Sequence, residues 1–218
     1  MQLDAIKFVI GVVILSIASY TDIKRREADD KLWLIMGGIG ALLLFFSNYD
    51  LIKMAISISF SIPFALLLYF FEFGGADVKA IWAITLLNPL PPKFYQFPLF
   101  SSPIFIFPFT VLLNSLLLFL PLPLIFFFYN LYQKNIEFPY CFFGYKMRAN
   151  DAKNKFVWSM EANGKKKITP VKNFDFDKVG DKEIWVTPKF PFLVFILIGF
   201  IISFIVGDLL FAFLFLFF

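Results

Sequence analysis

Phe73-Gly74-Gly75-Ala76-Asp77-Val78-Lys79 separates two hydrophobic runs with a glycine pair and a carboxylate. A second stretch, Tyr20-Thr21-Asp22-Ile23-Lys24-Arg25-Arg26, also ends an apolar run on an aspartate, and positive charge follows it. A carboxylate at the end of a membrane-embedded helix is expensive, because it either ionises at a cost of several kcal/mol or keeps its proton to stay neutral. Two of them at matching places point to a shared task.

The rest of the chain supports a membrane setting. Of its 218 residues, 60% are hydrophobic and 21% aromatic, with 34 phenylalanines, and only 17% are charged, against roughly 25% in soluble proteins. Several apolar runs approach the roughly 20 residues that cross a bilayer. The chain has no histidine and one cysteine, Cys141. That composition excludes zinc sites built on histidine, Ser-His and Cys-His nucleophile pairs and histidine proton relays. Acid–base chemistry falls to Asp, Glu, Lys and Tyr; no metal or cofactor is expected, and no disulfide can form within the chain.

Six runs follow one another. The first, Phe8 to Ala18, has its basic cluster after it, the reverse of a cleaved signal peptide, and is expected to be a retained helix with its amino terminus outside. Leu32 to Phe46 carries Gly37, Gly38 and Gly40, suited to close helix packing. Leu51 to Phe71 carries Ser57, Ser59 and Ser61, with a kink expected at Pro63. Ile81 to Leu90 is the weakest span. After a proline-broken stretch comes Ile104 to Tyr129, which Pro108, Pro121 and Pro123 should distort. Phe190 to Phe218 is the sixth run, longer than one span, with Asp208 past its middle; at about 1.5 Å per residue Asp208 lies roughly 28 Å from Lys189, at the outer face and away from the other aspartates.

The insertion between the fifth and sixth runs holds 12 of the 20 Lys and Arg residues. Asn163-Gly164 between Phe156-Val157-Trp158 and Ile168-Thr169 predicts a hairpin, and Ile184-Trp185-Val186 another strand. The expectation is an all-α polytopic membrane protein of about six transmembrane helices, with a small β-containing cytoplasmic insertion between helices 5 and 6. Residues 1–129 hold five helices, 130–189 the insertion and 190–218 the last helix. Placing Lys24, Arg25, Arg26, Lys31, Lys79 and the insertion on one side leaves Lys7, Lys53 and Lys93 opposite. By the positive-inside rule both termini then lie outside, and Asp22 and Asp77 share the cytoplasmic face. The basic insertion either touches anionic headgroups of the lipid bilayer or simply follows that rule; no nucleic-acid partner is expected, and the oligomeric state is left open.

Two carboxylates held close cannot both ionise, so the pair carries one proton near neutral pH. The ionised member takes a proton from water as it attacks a carbonyl, and the protonated one hydrogen-bonds the carbonyl oxygen. Gly74 and Gly75 allow close backbone approach and φ above zero. Against this stand an aspartate that only caps a helix and a small proton- or cation-coupled transporter using the same aspartates.

At these residues the sequence resembles the archaeal prepilin and preflagellin peptidases, membrane aspartyl proteases of the GxGD type in the type IV prepilin peptidase group and distant relatives of presenilin. Gly74-Gly75-Ala76-Asp77 is similar to the motif closing on their second catalytic aspartate, and Asp22-Ile23-Lys24-Arg25-Arg26 to the segment opening on their first. Ala76 departs from the strict glycine pattern, and Asp29 stands where a proline is expected after Arg26-Glu27-Ala28. Thr187-Pro188-Lys189-Phe190-Pro191-Phe192 is also similar to the family. The resemblance implies an aspartic endopeptidase that removes a short basic leader from archaellin or pilin precursors at the inner membrane face, without a metal. Asp22 and Asp77 are the implied catalytic pair; Gly74, Gly75, Lys79, Lys24 and Arg26 are candidates for binding substrate or shaping the site. Glu27, Asp29, Asp30 and Glu72 either attract a basic leader or form a solvated acidic loop. A third reading is an assembly factor that holds pilins without cutting them.

Overall fold

The computed structural model describes residues 2–70, 74–100, 102–162 and 164–217. Phe71, Glu72, Phe73, Asn163 and Phe218, on which parts of the expectations above fall, lie outside the described residues. The helices are α1 (Gln2–Arg25), α2 (Asp30–Leu44), α3 (Leu51–Phe70), α4 (Gly75–Leu87), α5 (Phe107–Phe119) and α6 (Leu122–Tyr132). There follow β1 (Tyr145–Arg148), a short α7 (Ala149–Ala152), β2 (Val157–Ala162), β3 (Lys165–Val171), β4 (Glu183–Pro188), α8 (Phe192–Ile205) and α9 (Leu209–Phe217). The chain parts into two compact units, Met1–Phe119 with Pro191–Phe218, and Leu120–Phe190.

The first unit is built around α4, which packs against α1, α2, α3, α5 and α8. Val78, Ala80, Ile81, Ala83, Ile84, Thr85 and Leu87 are all buried. A helix that is apolar on every side belongs in the middle of a bundle. The run that looked weakest as a span is therefore the central one. The fit is tight where α2 crosses it: a Cβ added at Gly40 lies 2.6 Å from the Leu87 Cα, and one at Gly37 lies 3.2 Å from the Leu86 side chain, whereas Gly38 meets nothing. Close packing thus uses Gly40 and Gly37 but not Gly38. Gly40→Val is expected to lower stability by about 1–3 kcal/mol, read as an earlier thermal transition in detergent; an unchanged transition would contradict this packing.

Aromatic rings fill the other side of the bundle. Phe8 lies 4.7 Å from Phe204 between centroids, and Phe107 meets Phe200 and Phe204 edge-on. Such pairs add about 0.5–1.5 kcal/mol each beyond their buried area.

The prolines act unequally. Pro63 lies inside α3, and the Trp82 indole N–H on α4 donates to the Ile62 carbonyl beside it at 3.0 Å. Pro121 stands where α5 has ended and α6 begins, as expected. Pro108 does not distort α5: it falls in the first turn, where its missing N–H has no intrahelical partner to lose.

The sixth run is two helices, not one. α8 ends at Ile205, Gly207 takes φ +101°, and Asp208 starts α9 by accepting the Phe211 N–H at 3.1 Å. Asp208 also accepts the Ser102 hydroxyl at 3.0 Å. Asn114 of α5 stitches the break, donating to Ser203 Oγ and the Gly207 carbonyl at 2.8 Å and accepting the Leu209 N–H at 3.0 Å. The expected distance of Asp208 along one continuous helix therefore does not apply; its carboxylate is spent on this corner.

Among the described residues three helical stretches are long and apolar enough to cross a membrane, Gln2–Arg25, Leu51–Phe70 and Phe107–Tyr132, and the chain is a membrane protein on that ground. α2, α4 and α8, with 15, 13 and 14 residues, fall short of the roughly 20 that a crossing takes.

The second unit carries a four-stranded antiparallel sheet in the order β1-β4-β2-β3. The hairpin forms as β2 and β3, with Gly164 at φ +73° in its turn, and Ile184-Trp185-Val186 forms β4. β1 escaped the sequence reading because its alternation spans only Tyr145 and Met147. Trp185 is fully buried; its indole N–H donates to Glu137, which also pairs with Lys166. The Lys166 ammonium holds the Glu137 carboxyl below its usual range. Cys141 is buried against Met160 and Trp185, as packing. The exposed Lys165-Lys166-Lys167 lie on the edge strand β3, where lysines discourage pairing with another chain.

Candidate active site

Asp22 lies in the last turn of α1 and is 8% exposed. Its carboxylate accepts the Leu193 N–H in the first turn of α8 at 3.4 Å. Pro191, which precedes α8, offers no side-chain cap, so Asp22 fills that role from another helix. One turn earlier on the same face of α1, Ser19 donates to the Leu193 carbonyl at 3.0 Å. Ser19 was passed over in the sequence; its spacing of three from Asp22 was the available signal.

Asp77 is the third residue of α4 and is half-buried. Its carboxylate reaches back to the Gly74 N–H at 3.1 Å, one half of a capping box. The cap reading of the sequence is thus physically present at both aspartates. The cap bonds leave each carboxylate with an oxygen that they do not use. The two carboxylates, far apart in sequence, lie on the last turn of α1 and the first turn of α4, helices that pack against each other.

The glycines serve this arrangement differently from expectation. Gly74 has φ −59°, and neither Gly74 nor Gly75 uses the positive φ that glycine allows. What Gly74 supplies is room: a Cβ there lies 2.8 Å from an oxygen of Asp77. Gly75 is exposed, with nothing within 4 Å of an added Cβ.

The flanking charges settle mostly on local partners. Arg26 takes φ 57°, a left-handed conformation costing about 1–2 kcal/mol for a residue with a Cβ. There its backbone N–H and its guanidinium both donate to the Asp22 carbonyl, at 2.9 and 3.2 Å, and its charge acts on the Asp22 carboxylate. The Lys24 ammonium lies 4.5 Å from the centre of the Tyr20 ring. Lys79 pairs with Asp30 at 2.6 Å, joining α4 to the start of α2. With the two side chains 41% and 66% exposed, Asp30→Ala should change stability by no more than about 1 kcal/mol in thermal unfolding. Asp29, in place of proline, keeps φ −68° and caps α2 by accepting the Lys31 N–H at 3.0 Å. The loop so keeps the backbone that a proline ring would impose. Among the described residues no cluster of His, Cys, Asp and Glu suits a metal ion.

The chain is similar to known proteins over most of its length. Residues 9–124, which contain both aspartates, match the model of the type IV leader peptidase family, and residues 136–209 match that of the archaeal peptidase A24 C-terminus, type II. The chain is 31% identical to a preflagellin peptidase of Methanococcus maripaludis, over 96% of this chain and 98% of the relative. It is 34% identical to one from Methanococcus voltae, over 93% and 96%. A preflagellin peptidase of Methanocaldococcus jannaschii is 32% identical, over 93% and 94%. Family models and relatives together cover the helical bundle and the sheet-bearing insertion alike, so the chain belongs to the type IV leader peptidase family.

Proposed function

We propose that this chain is a membrane aspartic endopeptidase that removes the leader peptide from archaellin or related type IV pilin-like precursors, with Asp22 and Asp77 as its catalytic pair. The observation that supports the reading is that each carboxylate sits at a helix end and accepts one backbone N–H, Asp22 from Leu193 and Asp77 from Gly74, on two helices packed against each other. In this reading one carboxylate takes a proton from a water molecule, whose oxygen attacks the scissile carbonyl carbon. The other, protonated, donates to the carbonyl oxygen and stabilises the tetrahedral intermediate. The proton gained by the first carboxylate then passes to the leaving amine as the C–N bond breaks.

Gly74 and Arg26 shape the site, the first by leaving room for the Asp77 carboxylate and the second by turning the chain after Asp22. Gly75 leaves open space that a substrate backbone could use, while Lys24 and Lys79 frame the approach through their local partners. Six crossings, both termini outside and a cytoplasmic site complete the proposal, supported by the distribution of basic residues. Residues 1–129 would then carry the chemistry, 130–189 a cytoplasmic module and 190–218 the closing helices. A proton- or cation-coupled transporter finds no support in the family membership.

The test is incubation of a full-length archaellin precursor with membranes containing the chain, followed by mass analysis of the product. A new amino terminus just before the precursor's hydrophobic helix, at a rate unchanged by chelators, is the expected result. Intact precursor together with proton or cation flux in proteoliposomes would reverse the assignment.

A further inference from the structure

The geometry points to Ser19 as a positioning residue for the catalytic pair, acting through the first turn of α8. This rests on the assignment of Asp22 to catalysis. Residue 193 is gripped twice from α1: its N–H donates to Asp22 and its carbonyl accepts from Ser19. Ser19, Asp22 and Leu193 are 4%, 8% and 1% exposed, so water does not compete effectively for either bond. Ser19 and Asp22 stand three apart on one face of α1, and the two bonds run to opposite ends of one residue's backbone.

A single hydrogen bond leaves a carboxylate free to swing about it. A second bond one turn away fixes the height and rotation of α8 against α1, and with them the direction from which the Leu193 N–H meets Asp22. Ser19 is not needed to satisfy α1, whose own ladder is intact without its hydroxyl. Nor does it merely fill space, since its oxygen is aimed at a carbonyl that already belongs to the α8 ladder. Its removal leaves a buried carboxylate with the same partner and a looser angle, and misplacement by about 1 Å lowers rates by as much as 100-fold.

Threonine and valine separate the hydroxyl from the volume, since the two side chains are nearly isosteric. Ser19→Ala, Ser19→Val and Ser19→Thr are made in the full chain, and kcat and KM for precursor cleavage are measured in membranes alongside Asp22→Asn. Ser19→Ala and Ser19→Val are expected to lower kcat by about 10- to 100-fold with KM unchanged, and Ser19→Thr to recover most of it. A wild-type kcat in Ser19→Ala, equal kinetics in the Thr and Val variants, or failure of all three to accumulate would each make Ser19 a packing residue and overturn the inference. If Asp22→Asn still cleaves, the catalytic assignment itself fails; if Asp22→Asn is inactive and the Ser19 variants are normal, only this inference does.

Discussion

Asp77→Asn is expected to lower leader cleavage by at least about 10³-fold at unchanged protein level. The substitution separates the two readings of this residue. At this third helical position the amide oxygen of asparagine can still reach back and accept the Gly74 N–H now bound at 3.1 Å, as glutamine does in place of glutamate in a capping box. An aspartate present only as a cap would therefore be replaced without consequence. An aspartate that must hold or release a proton would not, because an amide does neither at any working pH. The same holds for Asp22→Asn, where the amide oxygen keeps the bond from Leu193 and the end of α8 stays capped. Protein levels and thermal transitions near wild type, with activity gone, are the combined result expected from both.

Gly74→Ala should lower kcat by about 10- to 100-fold, by displacing a carboxylate and not by unfolding the protein. The added Cβ comes 2.8 Å from the Asp77 oxygen that accepts the Gly74 N–H. That oxygen is the far end of a side chain, so a rotation relieves the clash at little cost in stability, and the rotation is what moves the carboxylate. Gly75→Ala is the control next door. Its Cβ meets nothing within 4 Å, neither glycine uses positive φ, and kcat should remain within about threefold of wild type. Thermal unfolding of both variants near the wild-type temperature would place the Gly74 effect in the site.

The membrane character, the helix ends bearing Asp22 and Asp77 and the hairpin after Phe156 were legible because each depends on composition or on neighbours in sequence. Two hydrophobic runs ending on aspartate, and a glycine pair beside one of them, are local signals. What stayed hidden depends on packing. Ile81 to Leu90 looked like a poor span by length, yet α4 is short and apolar all round because it is surrounded by helices. Phe190 to Phe218 looked continuous, since nothing in its own residues reveals that Phe100, Asn114 and Ser102 meet it at Val206, Gly207 and Asp208. Gly74 was noticed for backbone freedom, but the space it leaves is for a side chain three residues on. Ser19 stands one turn from Asp22, but only the arrival of Leu193 from the far end of the chain gives it a partner.

The most direct test of the central claim, that Asp22 and Asp77 act as one unit, is a double-mutant cycle on precursor cleavage with Asp22→Asn, Asp77→Asn and both together. Residues that share one proton in one step are not additive, and each single substitution should lose as much activity as the pair. Losses that multiply in the double variant, or cleavage surviving in either single one, would contradict the account.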